Sequence, residues 1–141
     1  MSATAGFRRQ HEELEAAAFE LLQGLVPDAP PLDAAEMRRK LARFTGKLKL
    51  HAAMEEEALY PRLLHHADQA LREKAQQLLD DVGPLYGAYF AFSGRWMQAA
   101  AIEEDPAVFR GDLFRVLKLL GKRLRRENAE LYPLVDSLEL D

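Results

Sequence analysis

Apolar residues recur along this chain at intervals of three and four, and that rhythm marks out four helical stretches. The first, over about 4–25, carries Phe7, His11, Leu14, Ala18, Leu21 and Leu25, and is expected to end near Val26-Pro27. The second opens after Pro31 on Asp33-Ala-Ala-Glu36, a capping-box pattern. It carries Met37, Leu41, Phe44, Leu48, His51, Glu55 and Leu59 and runs to about Leu64, with a bend expected at Pro61. The third covers roughly 68–101, through Leu71, Ala75, Leu78, Val82, Leu85, Tyr89, Phe92 and Trp96, with a kink expected at Gly83-Pro84. The fourth starts at Asp105-Pro106, a cap followed by proline at the first helical position. It carries Phe109, Leu113, Val116, Leu120, Arg123, Glu127, Leu131 and Leu134 and continues to about 131–138. Val and Ile are scarce, so nothing competes with helix. Long helices with short connectors predict an all-α, antiparallel up-down-up-down four-helix bundle formed as one domain over 1–141.

Five members of these stripes are polar. His11, His51, Glu55, Arg123 and Glu127 fall on the inward side, where an unpartnered charge is expensive. His51 and Glu55 stand one helical turn apart on one face, so both can reach a single cation. A lone inward histidine reads most simply as a hydrogen-bonded core residue. Two such histidines with two glutamates on three helices point instead to a metal site, since imidazole with carboxylate suits iron, zinc or manganese. His65 and His66 follow Pro61 at a helix end and read as solvated.

Composition narrows the remaining classes. A net charge of -4 disfavours a general nucleic-acid binder, and the basic run Lys122 to Arg126 reads as a solvated helix face. Without cysteine the chain has no disulfide, zinc–thiolate or thiol chemistry. The stretch MSATAGFRRQHEELE lacks the apolar core of a signal peptide, and no apolar run approaches the roughly 18 residues of a membrane span. The expectation is a soluble, cytoplasmic protein with no membrane partner. Tyr86, Tyr89, Phe90, Phe92 and Trp96 crowd the third helix, as core residues or as the surface of a homodimer.

One phrase occurs twice. HAAMEEEALYP and RLRRENAELYP both close on Leu-Tyr-Pro, with Glu55 and Glu127 four residues before the leucine. Shifting the second half back by 71 or 72 residues sets Leu85 on Leu14, Val82 on His11, Arg123 on His51 and Glu127 on Glu55. The reading is two helical hairpins about a pseudo-twofold axis. With His11 in QHEEL, His51 and Glu55 in the first phrase and Glu127 in the second, the chain resembles the hemerythrin-like (HHE cation-binding) family over essentially its whole length. That resemblance implies a four-helix bundle around a non-haem di-iron centre, held by histidines and by two carboxylates that bridge the irons. It also implies roles in oxygen binding or sensing, iron storage or repair of iron centres.

The second half departs from that pattern. It offers Val82 and Arg123 where histidines are expected, so His11, His51, Glu55 and Glu127 are the positions that match as metal ligands. Two nitrogens and two carboxylates suffice for one ion and fall short of a di-iron centre. A guanidinium is always protonated and cannot ligate. Arg123 therefore either pairs with Glu55 and Glu127 in place of a second iron or snorkels to solvent. The first functional reading is a metal-binding protein, with iron at a reduced, mononuclear site, in oxygen or redox sensing or in iron handling. In a variant of it, Asp81, Tyr86 or Glu130 adds ligands for a rearranged dinuclear site. The alternative is a metal-free descendant serving as an interaction or regulatory module with an Arg–Glu polar core. An enzyme using His–Glu acid–base chemistry ranks third, because no substrate pocket is implied.

Overall fold

The computed structural model describes residues 2–26 and 31–138, so Pro27, used above to end the first helix, lies outside the described residues. The described residues are helical almost throughout and include no strand. The helices are α1 (Ala5–Gln23), α2 (Ala34–Met54), α3 (Tyr60–Leu64), α4 (Gln69–Val82), α5 (Leu85–Arg95), α6 (Ala99–Glu104), α7 (Pro106–Arg126) and α8 (Tyr132–Leu138). Asp33, Asp68 and Asp105 cap α2, α4 and α7, each accepting a backbone N–H of the first turn at 3.1, 3.0 and 3.3 Å. Such caps contribute about 1 kcal/mol apiece. The reciprocal half of the expected capping box is absent, because Glu36 pairs with Arg39 instead.

The two Leu-Tyr-Pro phrases fold alike. A five-residue π turn, Glu55–Leu59, joins α2 to α3, and another, Glu127–Leu131, joins α7 to α8. In each turn the tyrosine N–H bonds to the glutamate carbonyl five residues back, Tyr60 to Glu55 and Tyr132 to Glu127. Proline is the cause: it has no N–H, and its ring clashes with the carbonyl four residues earlier in a regular helix. Widening the helix by one residue places Pro61 and Pro133 in the first turn of a new helix, where a missing N–H is tolerated. The extra residue also advances the buried stripe by one position. Leu59 is followed inward by Tyr60 and Leu63, and Leu131 by Tyr132 and Val135, so Leu134 is only half-buried.

Gly83-Pro84 breaks the third rod without advancing its stripe, since Tyr89, Phe92 and Trp96 stay buried at the expected positions. Tyr86 is buried where regular spacing pointed to Leu85, which is half-buried. That rod also ends at Arg95 rather than near 101. Trp96 turns onto Phe109 with ring centroids 5.3 Å apart, and its Nε1 donates to Asp112 at 3.2 Å. Six residues on, Ile102 would point about 120° away from Trp96 on one continuous helix. The break at Gln98 lets both be buried, Ile102 from the separate helix α6.

Helix α1 packs on α2, α3 on α4 and α5 on α7, while α2–α5, α1–α7 and α4–α7 contacts draw these pairs together. The apolar core has two parts. One runs from Leu14, Phe44 and Leu48 to Phe92, Trp96 and Phe109. The other gathers Leu59, Leu63, Leu71, Leu78, Val82, Leu131 and Val135. Tyr86 belongs to the first, Tyr60 and Tyr132 to the second, and the hydroxyls of all three converge on one buried polar cluster.

Candidate metal centre

His11 comes from α1, His51 from α2, Glu55 and Glu127 from the starts of the two π turns, and Arg123 from the last turn of α7. All five are buried, Arg123 at 3 % exposure and the others at 1 % or less. One ligand-type atom from each histidine and each glutamate lies within 4.8 Å of the rest. His11 Nε2 is 3.0 Å from His51 Nε2 and 3.3 Å from Glu127 Oε1, and His51 Nε2 is 2.5 Å from Glu55 Oε1. Metal bonds of about 2.0–2.2 Å set neighbouring donor atoms about 3.0–3.4 Å apart, which these spacings approach.

The outer nitrogens orient the rings. His11 Nδ1 lies 2.9 Å from the Asn128 amide oxygen and His51 Nδ1 lies 2.6 Å from that of Gln10. The Gln10 amide is itself held by a bond from its NH2 to Met54 Sδ at 3.0 Å. A carbonyl oxygen can only accept, so each Nδ1 carries hydrogen and each neutral ring turns a lone pair on Nε2 toward the cluster. Two such lone pairs 3.0 Å apart repel unless a cation lies between them, whether a proton or a metal.

The carboxylates divide their oxygens. Glu55 Oε2 accepts from Arg123 Nη2 at 2.7 Å and from Tyr86 at 3.1 Å. Glu127 Oε2 accepts from Arg123 Nε at 3.3 Å and from Tyr60 at 2.6 Å. Both Oε1 atoms face the imidazoles. Tyr132 stands there too, its hydroxyl 3.0 Å from His11 Nε2 and donating to Glu55 Oε1 at 3.3 Å. Glu127 Oε1 is fully buried, and no neighbour meets it with good hydrogen-bond geometry; its nearest charged partner is His11 Nε2 at 3.3 Å, which can serve it only when protonated. An orphaned acceptor of that kind costs about 1–3 kcal/mol, and more when charged. The ion pair, not the exposed rotamer, is therefore the state of Arg123. Its guanidinium also covers the Tyr86 ring at 3.5 Å and donates to the Gly83 carbonyl at 3.2 Å.

Titration follows this geometry. Burial acts to lower the His11 pKa, but hydrogen bonding and charge from Glu127 and Glu55 outweigh it and raise the value to about 9. Burial acts to raise Glu55, yet His11, His51 and Arg123 hold its carboxyl well below the usual range. Glu127 moves up, through burial and the neighbouring Glu55 charge. A protonated His11 and Arg123 offset the two carboxylates when no metal is bound.

The other residues weighed from the sequence lie elsewhere. Asp81 pairs with Arg126 at 2.8 Å, and Glu130 with Arg126 and Lys74. His65 bonds the Pro61 carbonyl, and His66 accepts from the Asp68 N–H. Tyr86 reaches the cluster on the Arg123 side, as a hydrogen-bond donor. Tyr60, Tyr132, Gln10 and Asn128 escaped the sequence reading. The tyrosines stood in the repeated phrase, but regular helical spacing aims them away from the core.

Comparison with known proteins places the chain in a family. A family model described as "Hemerythrin HHE cation binding domain" matches residues 2–135. No curated protein matches the chain. No solved structure matches it either. Among the described residues, no helix is long and apolar enough to cross a membrane.

Proposed function

The chain belongs to the hemerythrin HHE cation-binding family, and on that premise we propose that it holds a single iron ion through His11, His51, Glu55 and Glu127. One observation carries this reading: one ligand-type atom from each of two histidines and two glutamates lies within 4.8 Å of the rest, fully buried, and Glu127 Oε1 among them makes no hydrogen bond of good geometry. Two nitrogens and two hard oxygens suit iron. Asn128 and Gln10 would keep both Nε2 lone pairs turned toward the ion.

The residues present do not fit a second ion. Arg123 already neutralises the far oxygens of both carboxylates, and Val82 supplies no lone pair. One divalent ion with Arg123 against two carboxylates leaves the cluster at +1, whereas two would leave it at +3 among fully buried side chains, where charge is poorly screened. A bound iron would supply a redox-active, oxygen-responsive centre, which suits iron handling or redox sensing rather than reversible oxygen carriage at a di-iron site. The test is metal analysis of protein expressed with iron and without a His tag. One iron per chain is expected. Two irons would overturn the single-ion reading. None would favour the metal-free module, with Arg123 and protonated His11 closing the cluster.

A further inference from the structure

We propose that Tyr132 is a fifth ligand of this centre, bound through its phenolate oxygen, and that this oxygen fits the site to ferric iron. The proposal rests on the metal-binding reading above and adds a residue and an oxidation state to it.

Three observations support the assignment. The Tyr132 hydroxyl lies 3.0 Å from His11 Nε2 and 3.3 Å from Glu55 Oε1, within the 2.5–3.6 Å that separates neighbouring donor atoms of the four residues. The π turn Glu127–Leu131 sets Tyr132 five residues after a ligand and rotates it inward. Its ring is then fixed between His11, at 5.2 Å between centroids, and Phe7, at 6.2 Å, with the Arg8 guanidinium 5.4 Å from its centre.

The comparison with Tyr60, placed alike after the other π turn, is informative. Tyr60 is committed to Glu127 Oε2 at 2.6 Å on the Arg123 side, where the cation is permanent. Tyr132 makes a longer bond to its carboxylate, and its nearer neighbour is an imidazole nitrogen. Fully buried, it can carry negative charge only against a cation. On binding, the phenol O–H breaks, the proton leaves to solvent and an oxygen lone pair joins the metal, with no electron transferred. A trivalent ion with this phenolate leaves the cluster at the same net charge as a divalent ion with the neutral phenol. Iron accepts tyrosine oxygen as a ligand in other settings.

The test loads untagged full-length protein with iron(III) supplied as its citrate complex and records the visible spectrum, where phenolate-to-iron(III) charge transfer absorbs. A band is expected in the wild-type protein and in Tyr60→Phe. It should be lost in Tyr132→Phe, which still binds one zinc ion per chain. Iron bound without the band, or a band that survives Tyr132→Phe, overturns the assignment of Tyr132 and leaves the four-residue site standing. Absence of bound metal overturns both. If Tyr132→Phe fails to fold, the other tyrosines decide. The chain has four, and Tyr89 is tied to Thr45 at 2.7 Å. A band retained in Tyr60→Phe and in Tyr86→Phe then assigns it to Tyr132, and its loss in either overturns the proposal.

Discussion

Glu55 and Glu127 each turn one oxygen toward a pair of imidazoles and the other toward a guanidinium, so the same two carboxylates face two unlike environments. On the Arg123 side the positive charge is covalently attached, packed on Tyr86 and present at every accessible pH. On the histidine side it is exchangeable, because an Nε2 lone pair can take either a proton or a metal. A built-in cation gives stability without chemistry, and an exchangeable one gives chemistry at the expense of a group left unsatisfied, here Glu127 Oε1.

The largest expected effect comes from removing the fixed charge. Arg123→Ala leaves two buried carboxylates short of a partner and should destabilise the metal-free protein by about 3–5 kcal/mol at neutral pH. Urea unfolding measures it, and a loss under about 1 kcal/mol would mean that the guanidinium does not hold this half together. Making the halves alike is the converse experiment. On the single-ion proposal, Val82→His with Arg123→His should raise the iron bound per chain from one towards two, read by metal analysis. A ratio that stays at one would show that more than those two side chains separates the halves.

Acidity separates them next. His11 titrates at about 9 in the folded protein against 6.5 ordinarily. A raised value means that folding strengthens proton binding, so the contribution is full below about pH 6.5 and is lost as pH rises through 9. The metal-free protein should lose on the order of 3 kcal/mol across that window through this group. Arg123 contributes no slope there. Because a metal must displace the His11 proton, the apparent affinity for a divalent ion that leaves the Tyr132 phenol protonated, such as zinc, should climb about tenfold per pH unit up to about 9. A flat profile from pH 6 to 9 would contradict the raised value.

The smallest effects lie in the shell that orients the rings. Asn128→Ala and Gln10→Ala should each weaken metal binding by about 10–100-fold while the helical content stays intact. Competition titration against a chelator reads this, and unchanged affinity in both variants would show that the Nδ1 bonds do not set the ring orientation.

Much of the molecule was legible in advance. Met37, Leu41, Phe44 and Leu48, or Phe109, Leu113, Val116 and Leu120, sit inward because regular helix returns every three or four residues to one face. His11, His51, Glu55 and Glu127 lay in that rhythm and meet as the spacing implied. Leu134 did not follow it because the π turn before it adds a residue to the count, Tyr86 takes the place of Leu85 at the Gly83-Pro84 kink, and the third helix ends early at Arg95.

The sequence alone therefore determined the helices up to each break, the inward position of the two histidines and two glutamates, and the sites of the breaks that Pro61, Pro84 and Pro133 mark. Only the tertiary structure decided what lies beyond a break. A π turn inserts one residue into the helical count, and its presence depends on how the rod packs as well as on the proline. That single residue is what turns Tyr60 and Tyr132 onto the carboxylates. The tertiary structure also decided between the two states of Arg123. A long flexible side chain reaches water or the core equally well from one backbone position, and two carboxylate oxygens, the Gly83 carbonyl and the Tyr86 ring together hold it inside.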